Sequence, residues 1–97
     1  NTTPGLTTGL KGNFPNPFNP STQISFELAS PGAVNLEIYN QKGQLVKTLL
    51  DAELPAGAHT TEWNGLDANN SPVSSGVYFY RMRSGKFSST RKMVLMK

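Results

Sequence analysis

An all-β sandwich is the fold class this sequence predicts, on three observations. Apolar side chains recur with a period of two along segment after segment, which makes half-buried strands. Clusters of Gly, Pro and Asn interrupt them about every eight to twelve residues, the spacing of short antiparallel strands joined by turns. No window shows a 3.6-residue period with caps, so no helix is expected. Six or seven strands follow.

Residues 1–12 hold four Thr and three Gly but only Leu6 and Leu10 as apolar side chains, so they are expected to be a linker that buries little. A domain over 13–97 follows. Its first stretch, Asn13 to Thr22, contains Pro15, Pro17 and Pro20. Prolines lack the N–H a ladder needs and push the preceding residues towards extended backbone. A shaped loop is predicted, with Phe14 and Phe18 plugging one end of the core.

From Thr22, Ile24, Phe26 and Leu28 alternate with Gln23, Ser25 and Glu27, a strand with one buried face. Ser30–Gly32 turns the chain, and Val34, Leu36 and Ile38 repeat the alternation up to Tyr39. Asn40–Gly43 is a second turn, with Gly43 available for positive φ. Gln44 to Leu50 is apolar on both parities, which fits either a bulge or a strand covered on both sides. After the turn Leu54–Gly57, His59, Thr61 and Trp63 share one face, with Trp63 as centre of the core. A long polar connection runs from Asn64 to Ser75. Beyond it Tyr78, Tyr80 and Met82 face inward while Phe79, Arg81 and Arg83 face outward, leaving Phe79 as the apolar residue expected at the surface. Ser84–Lys86 closes a final hairpin, and Phe87, Met93 and Leu95 continue the core set.

Ninety-seven residues without cysteine give one domain that relies on burial alone. The chain does not begin with Met and opens with no basic and apolar leader, so it is expected to be a piece of a longer polypeptide. No apolar run approaches the roughly 18–20 residues that span a bilayer. Charge is divided unevenly. Residues 1–67 carry three cations against six acids, while residues 68–97 carry six cations and no acid. The cations alternate along strands and do not cluster around stacking aromatics, which argues against nucleic acid.

Chemistry for turnover is poorly provided. One histidine and no cysteine exclude a histidine–cysteine metal site and serve a nucleophile triad badly. Neither a metal nor a cofactor is expected. Asp67, Asn69 and Ser71 place oxygens at alternate positions as calcium loops do, but Pro72 and Tyr78 stand where such a loop needs Gly and Glu. A turn whose side chains bond local backbone explains the spacing as well. Trp63, Tyr78 and Tyr80 have the residue types of a sugar platform, yet their alternation places them in the core. Arg91, Lys92 and Lys97 suit either recognition or the guarding of an edge strand against stray pairing.

Taken together, Phe14–Thr22 with Ile24–Phe26, Ile38–Asn40 with Gly43, Leu54–Thr60, Glu62–Gly65, Ser75–Arg81 and Thr90–Leu95 resemble the type A C-terminal sorting domain of the bacterial type IX secretion system. Closely similar Ig-like modules occur in the flagellar hook-capping protein. The resemblance covers Asn13 to Lys97 and implies an Ig-like or fibronectin-like antiparallel sandwich of about seven strands, with Phe26, Trp63 and Tyr80 as core anchors. It further implies a non-catalytic signal that directs a covalently linked upstream passenger from the periplasm through the outer-membrane translocon to the cell surface. A sortase-like transpeptidase would cut within Asn1–Asn13. Asn16, Pro17, Gly76, Tyr78, Arg91 and Lys92 are the recognition residues it implies. Of these, Gly76 is expected to let its strand start close against Trp63 or the adjoining loop, and Tyr78 to lock that strand into the core. An accessory carbohydrate-binding module or a structural Ig-like module of a secreted glycan-degrading enzyme is the alternative.

Overall fold

Alternation of apolar and polar residues produces seven strands in a computed structural model that describes residues 7–97: β1 (Gly9–Phe14), β2 (Thr22–Leu28), β3 (Gly32–Tyr39), β4 (Leu45–Leu54), β5 (Gly57–Trp63), β6 (Gly76–Ser84) and β7 (Phe87–Leu95). All pair antiparallel, in a three-stranded sheet β1-β2-β5 and a four-stranded sheet β4-β3-β6-β7. No helix is present among the described residues. The inward parities of both sheets meet in one core. Ile24, Phe26, Leu28 and Trp63 of the smaller sheet face Val34, Leu36, Ile38, Tyr78, Tyr80, Met82, Met93 and Leu95 of the larger. Phe26, Trp63 and Tyr80 are each at most 1% exposed.

The first strand starts earlier than its composition suggests. Residues 9–12, assigned by sequence to the linker, belong to β1, and Leu10 is buried against the core; residues 1–6 lie outside the described residues. Between Leu10 and Gly12 the register with β2 shifts, leaving Lys11 as an extra residue on β1. Gly12 takes φ +124° there, a backbone region that glycine enters without a Cβ clash. The bulge reverses the parity that follows. Asn13 turns inward to accept a hydrogen bond from the Tyr80 hydroxyl at 3.2 Å, and Phe14 turns outward. Phe14 is therefore 81% exposed and plugs nothing, contrary to expectation.

Bulges also resolve the two-parity apolar run. Leu36 pairs with Leu50 and Glu37 with Thr48, then Ile38 pairs with Lys47 and Tyr39 with Leu45. Leu49 and Val46 are thus extra residues on β4, and both pack against the core with Leu50. Turn chemistry follows the sequence closely. The Asn40 side-chain oxygen accepts from the backbone N–H of Lys42 and Gln44, and Gly43 has φ +80°. The terminal hairpin closes over Gly85–Lys86 with Gly85 at φ +59°, the positive value that a two-residue II′ loop requires at its first position.

Candidate recognition site

The proline-rich loop builds one corner of the sandwich by docking on the free edge of β7. Phe18 is buried with its ring 5.6 Å from that of Trp63, and Trp63 meets the Tyr78 ring edge-on at 5.2 Å. This aromatic anchor presents the loop backbone to the strand. The Phe18 N–H donates to the Val94 carbonyl at 3.0 Å, and the Met96 N–H donates to the Phe18 carbonyl at 2.9 Å. Phe18 and Leu95 form a parallel bridge. The Val94 N–H donates to the Asn16 side-chain oxygen at 3.1 Å, so a loop side chain completes what the loop backbone begins. From behind, the Thr22 hydroxyl donates to the Pro15 carbonyl at 2.8 Å. Gly65 closes the corner at φ +75°, and a Cβ there would come within 3.0 Å of the Pro20 carbonyl oxygen. Gly65→Ala should therefore loosen the loop and cost about 1–3 kcal/mol, measurable as a lower urea midpoint.

All six sequence-derived candidates lie around the C-terminal half of β7, though not on one face. Gly76 pairs with Leu95, Tyr78 with Met93, Phe79 with Lys92 and Tyr80 with Arg91. Tyr78 is buried, donating its hydroxyl to the Ser74 carbonyl at 2.6 Å, and acts from within the core. Gly76 differs from expectation: a Cβ there would touch nothing within 4 Å. Its φ of +149°, not a close approach, is what demands glycine. Arg91 shares the inward parity of Met93 and lies at the rim of the sandwich, where its guanidinium donates to the Leu10 carbonyl of β1 at 3.1 Å. Lys92 points outward. Asn16, Pro17, Arg91 and Lys92 are the four candidates a partner can reach, since all four are exposed.

A second polar constellation occupies the outer face of the larger sheet, and sequence reasoning missed it. One oxygen of the Glu37 carboxylate accepts from the Tyr39 hydroxyl at 2.6 Å and from the guanidiniums of Arg81 and Arg83 at 3.2 Å each. Arg81 also donates to the Tyr39 hydroxyl at 2.6 Å and sits 4.9 Å from its ring centre. The outward parity of these residues is visible in sequence. Their meeting is not, because it depends on β3 lying beside β6. Phe79, expected to be exposed, is half-buried and lines a hollow of about 300 Å³ with Tyr39 and Arg81.

The Tyr39 hydroxyl, more than any other group, holds the Glu37 carboxyl below its ordinary value of 4.5; burial opposes this and the two arginines reinforce it. A carboxyl depressed in the folded state adds stability above its unfolded value, which is lost as the pH falls through the folded value. Glu37→Gln should lower stability at neutral pH by about 1–3 kcal/mol and flatten the fall in Tm on acidification. Thermal melts of both proteins between neutral pH and about pH 3 measure this.

The remaining polar motifs are absorbed by structure. His59 stacks on Phe26 at 5.4 Å with its Nε2 2.7 Å from the Pro55 carbonyl oxygen, a contact that places the ring proton on that nitrogen. Asp67 accepts from the backbone N–H of Asn69 and Ser71, and Asn70 takes φ +62°. The described residues include no cluster of three potential metal ligands, and no helix long and apolar enough to cross a membrane.

Comparison with known proteins places this geometry in a family. A family model described as the FlgD Ig-like domain matches residues 13–86, ending just before β7. Among solved structures, latent PorU from Porphyromonas gingivalis overlays with a TM-score of 0.72 at 21% identity, over 96% of this chain and 10% of that one. FlgD from P. aeruginosa gives 0.61 at 20% identity, over 76% and 58%. PorZ from P. gingivalis, described as an essential bacterial surface component of the type-IX secretion system, gives 0.59 at 20% identity, over 96% and 12%. This chain thus spans about a tenth of the PorU and PorZ chains. No curated protein matches.

Proposed function

The chain belongs to the FlgD Ig-like domain family, and from that premise we propose that it is a non-catalytic C-terminal sorting signal of the type IX secretion system. It directs a secreted passenger, fused upstream, through the outer-membrane translocon to the cell surface. One observation carries the reading. Asn16 and Pro17 on the docked loop and Arg91 and Lys92 on β7 are all exposed, and the loop is bonded to that strand through Phe18 and Asn16, so strand and loop offer a partner polar groups on one supported element. The fold it shares with part of PorZ, a surface component of that system, supports the assignment.

A hollow of about 510 Å³ beside the Asp67 turn has Asp67 as its one carboxylate, and that group is already engaged by its own turn. Cleavage by a sortase-like transpeptidase belongs upstream of β1, because a strand held in a ladder does not enter a protease cleft without unpairing. Residues 13–97 with the β1 residues before them would then leave as the discarded signal.

A reporter fused ahead of residues 1–97 should reach the surface or medium of a host with the type IX translocon, and remain periplasmic in an isogenic host that lacks it. Equal fractions outside both hosts, or none outside either, would refute the sorting role.

A further inference from the structure

We infer that β7 is read by strand addition: its free edge, from Ser88 to Lys92, accepts an extended acidic segment of the partner as a fifth strand of the larger sheet. This rests on the sorting reading above and names the chemistry of the partner.

Edge strands invite pairing unless bulges, twist or charge prevent it. Four strands form sheet edges among the described residues. β1 is bulged at Lys11 and β4 at Val46 and Leu49, and each bulge breaks the regular row of donors and acceptors a new strand would need. β5 and β7 are regular, with seven and nine consecutive pairs to their neighbours and no shift. Of these two, β7 is the cationic one. It carries Arg91 and Lys92, lies between Lys86 and Lys97, and has no acid, whereas β5 holds Glu62 and no lysine or arginine.

The edge already accepts a strand-like partner at one end. Val94 directs both its N–H and its C=O away from β6, to Asn16 and Phe18. Alternation along an unbulged strand sends the same groups of Lys92, Thr90 and Ser88 in that direction. No backbone hydrogen bond to this side is formed by those three among the described residues. The loop therefore blocks the last rung, while β1, close enough for Arg91 to reach the Leu10 carbonyl, takes up none of the backbone groups of the preceding ones.

Charge selects the occupant. A second copy pairing β7 against β7 would bring Arg91 and Lys92 together with their own kind, and like charges on facing strands repel. A second copy offering β4 would present a bulged edge. An extended segment with carboxylates at alternate positions avoids both obstacles, and its backbone meets Ser88, Thr90 and Lys92.

The test is amide exchange by NMR on residues 1–97, titrated with the peptide acetyl-Thr-Val-Glu-Val-Glu-Val-amide and with its twin carrying lysine for glutamate. Exchange at Ser88, Thr90 and Lys92 should slow by about fivefold or more as the edge is covered. The acidic peptide should bind about tenfold more tightly than the lysine twin at low salt. Thr90→Pro removes one edge N–H without touching the ladder to β6 and should abolish protection. Lys92→Glu, which leaves every backbone donor in place, should reverse the peptide preference. Absent protection, protection on β5 instead, or equal binding of the two peptides overturns strand addition. Export of the fusion is scored separately: an exported chain whose edge is never protected leaves sorting intact and removes strand addition alone.

Discussion

Trp63→Ala should cost about 3–5 kcal/mol, the loss typical of a buried aromatic replaced by alanine. Small domains hold only about 5–15 kcal/mol in all, so the variant should be largely unfolded at growth temperature. The size of the effect comes from position. Trp63 has no exposed surface, touches Phe18 from the loop and Tyr78 from β6, and donates its indole N–H to the Leu66 carbonyl at 2.9 Å. Truncation leaves a cavity, an unpaired carbonyl and a loop without its anchor. Because Trp63 is the single tryptophan, urea melts should be followed by far-UV circular dichroism. Phe14→Ala, at an 81% exposed position two strands away in the same sheet, should move the midpoint by no more than about 0.5 kcal/mol. A large loss there, or a small one at Trp63, would mean the core is not arranged as described.

The contrast between these two aromatics shows what the sequence discloses. Period-two alternation placed β2, β3, β5 and β6 and identified Phe26, Trp63 and Tyr80 as buried, because each of those strands keeps its parity throughout. Where a bulge intervenes, parity misleads. Phe14 reads as a plug only if the chain from Leu10 keeps its phase, and the extra residue Lys11 breaks that phase. The run Gln44–Leu50 left two explanations open for the same reason, and two bulges on β4 account for it. Turn signals did better, since Asn40, Gly43, Asn70 and Gly85 act within a few residues of themselves. Contacts that depend on strand order were invisible. Neither the Glu37–Tyr39–Arg81–Arg83 cluster nor the docking of Asn16 on Val94 follows from spacing, because their partners stand 44 and 78 residues apart.

Removing Met93–Lys97 should unfold the domain. Met93 and Leu95 are at most 1% exposed, and burying two such side chains contributes about 3–6 kcal/mol. The same cut deletes the Val94 carbonyl and the Met96 N–H that hold Phe18, together with the Val94 N–H bonded to Asn16. The loop would lose its strand and Trp63 its neighbour at once. Urea melts should show no cooperative transition in the truncated chain, and amide exchange should lose protection throughout both sheets; a truncated chain that melts with an unchanged midpoint would contradict this. Under the proposed sorting role, periplasmic retention of such a truncation would have two causes, loss of the signal and loss of the fold that displays it. Lys92→Glu separates them. Lys92 is exposed, so its replacement should leave the midpoint within about 0.5 kcal/mol, and export lost at unchanged stability would place recognition at the strand itself.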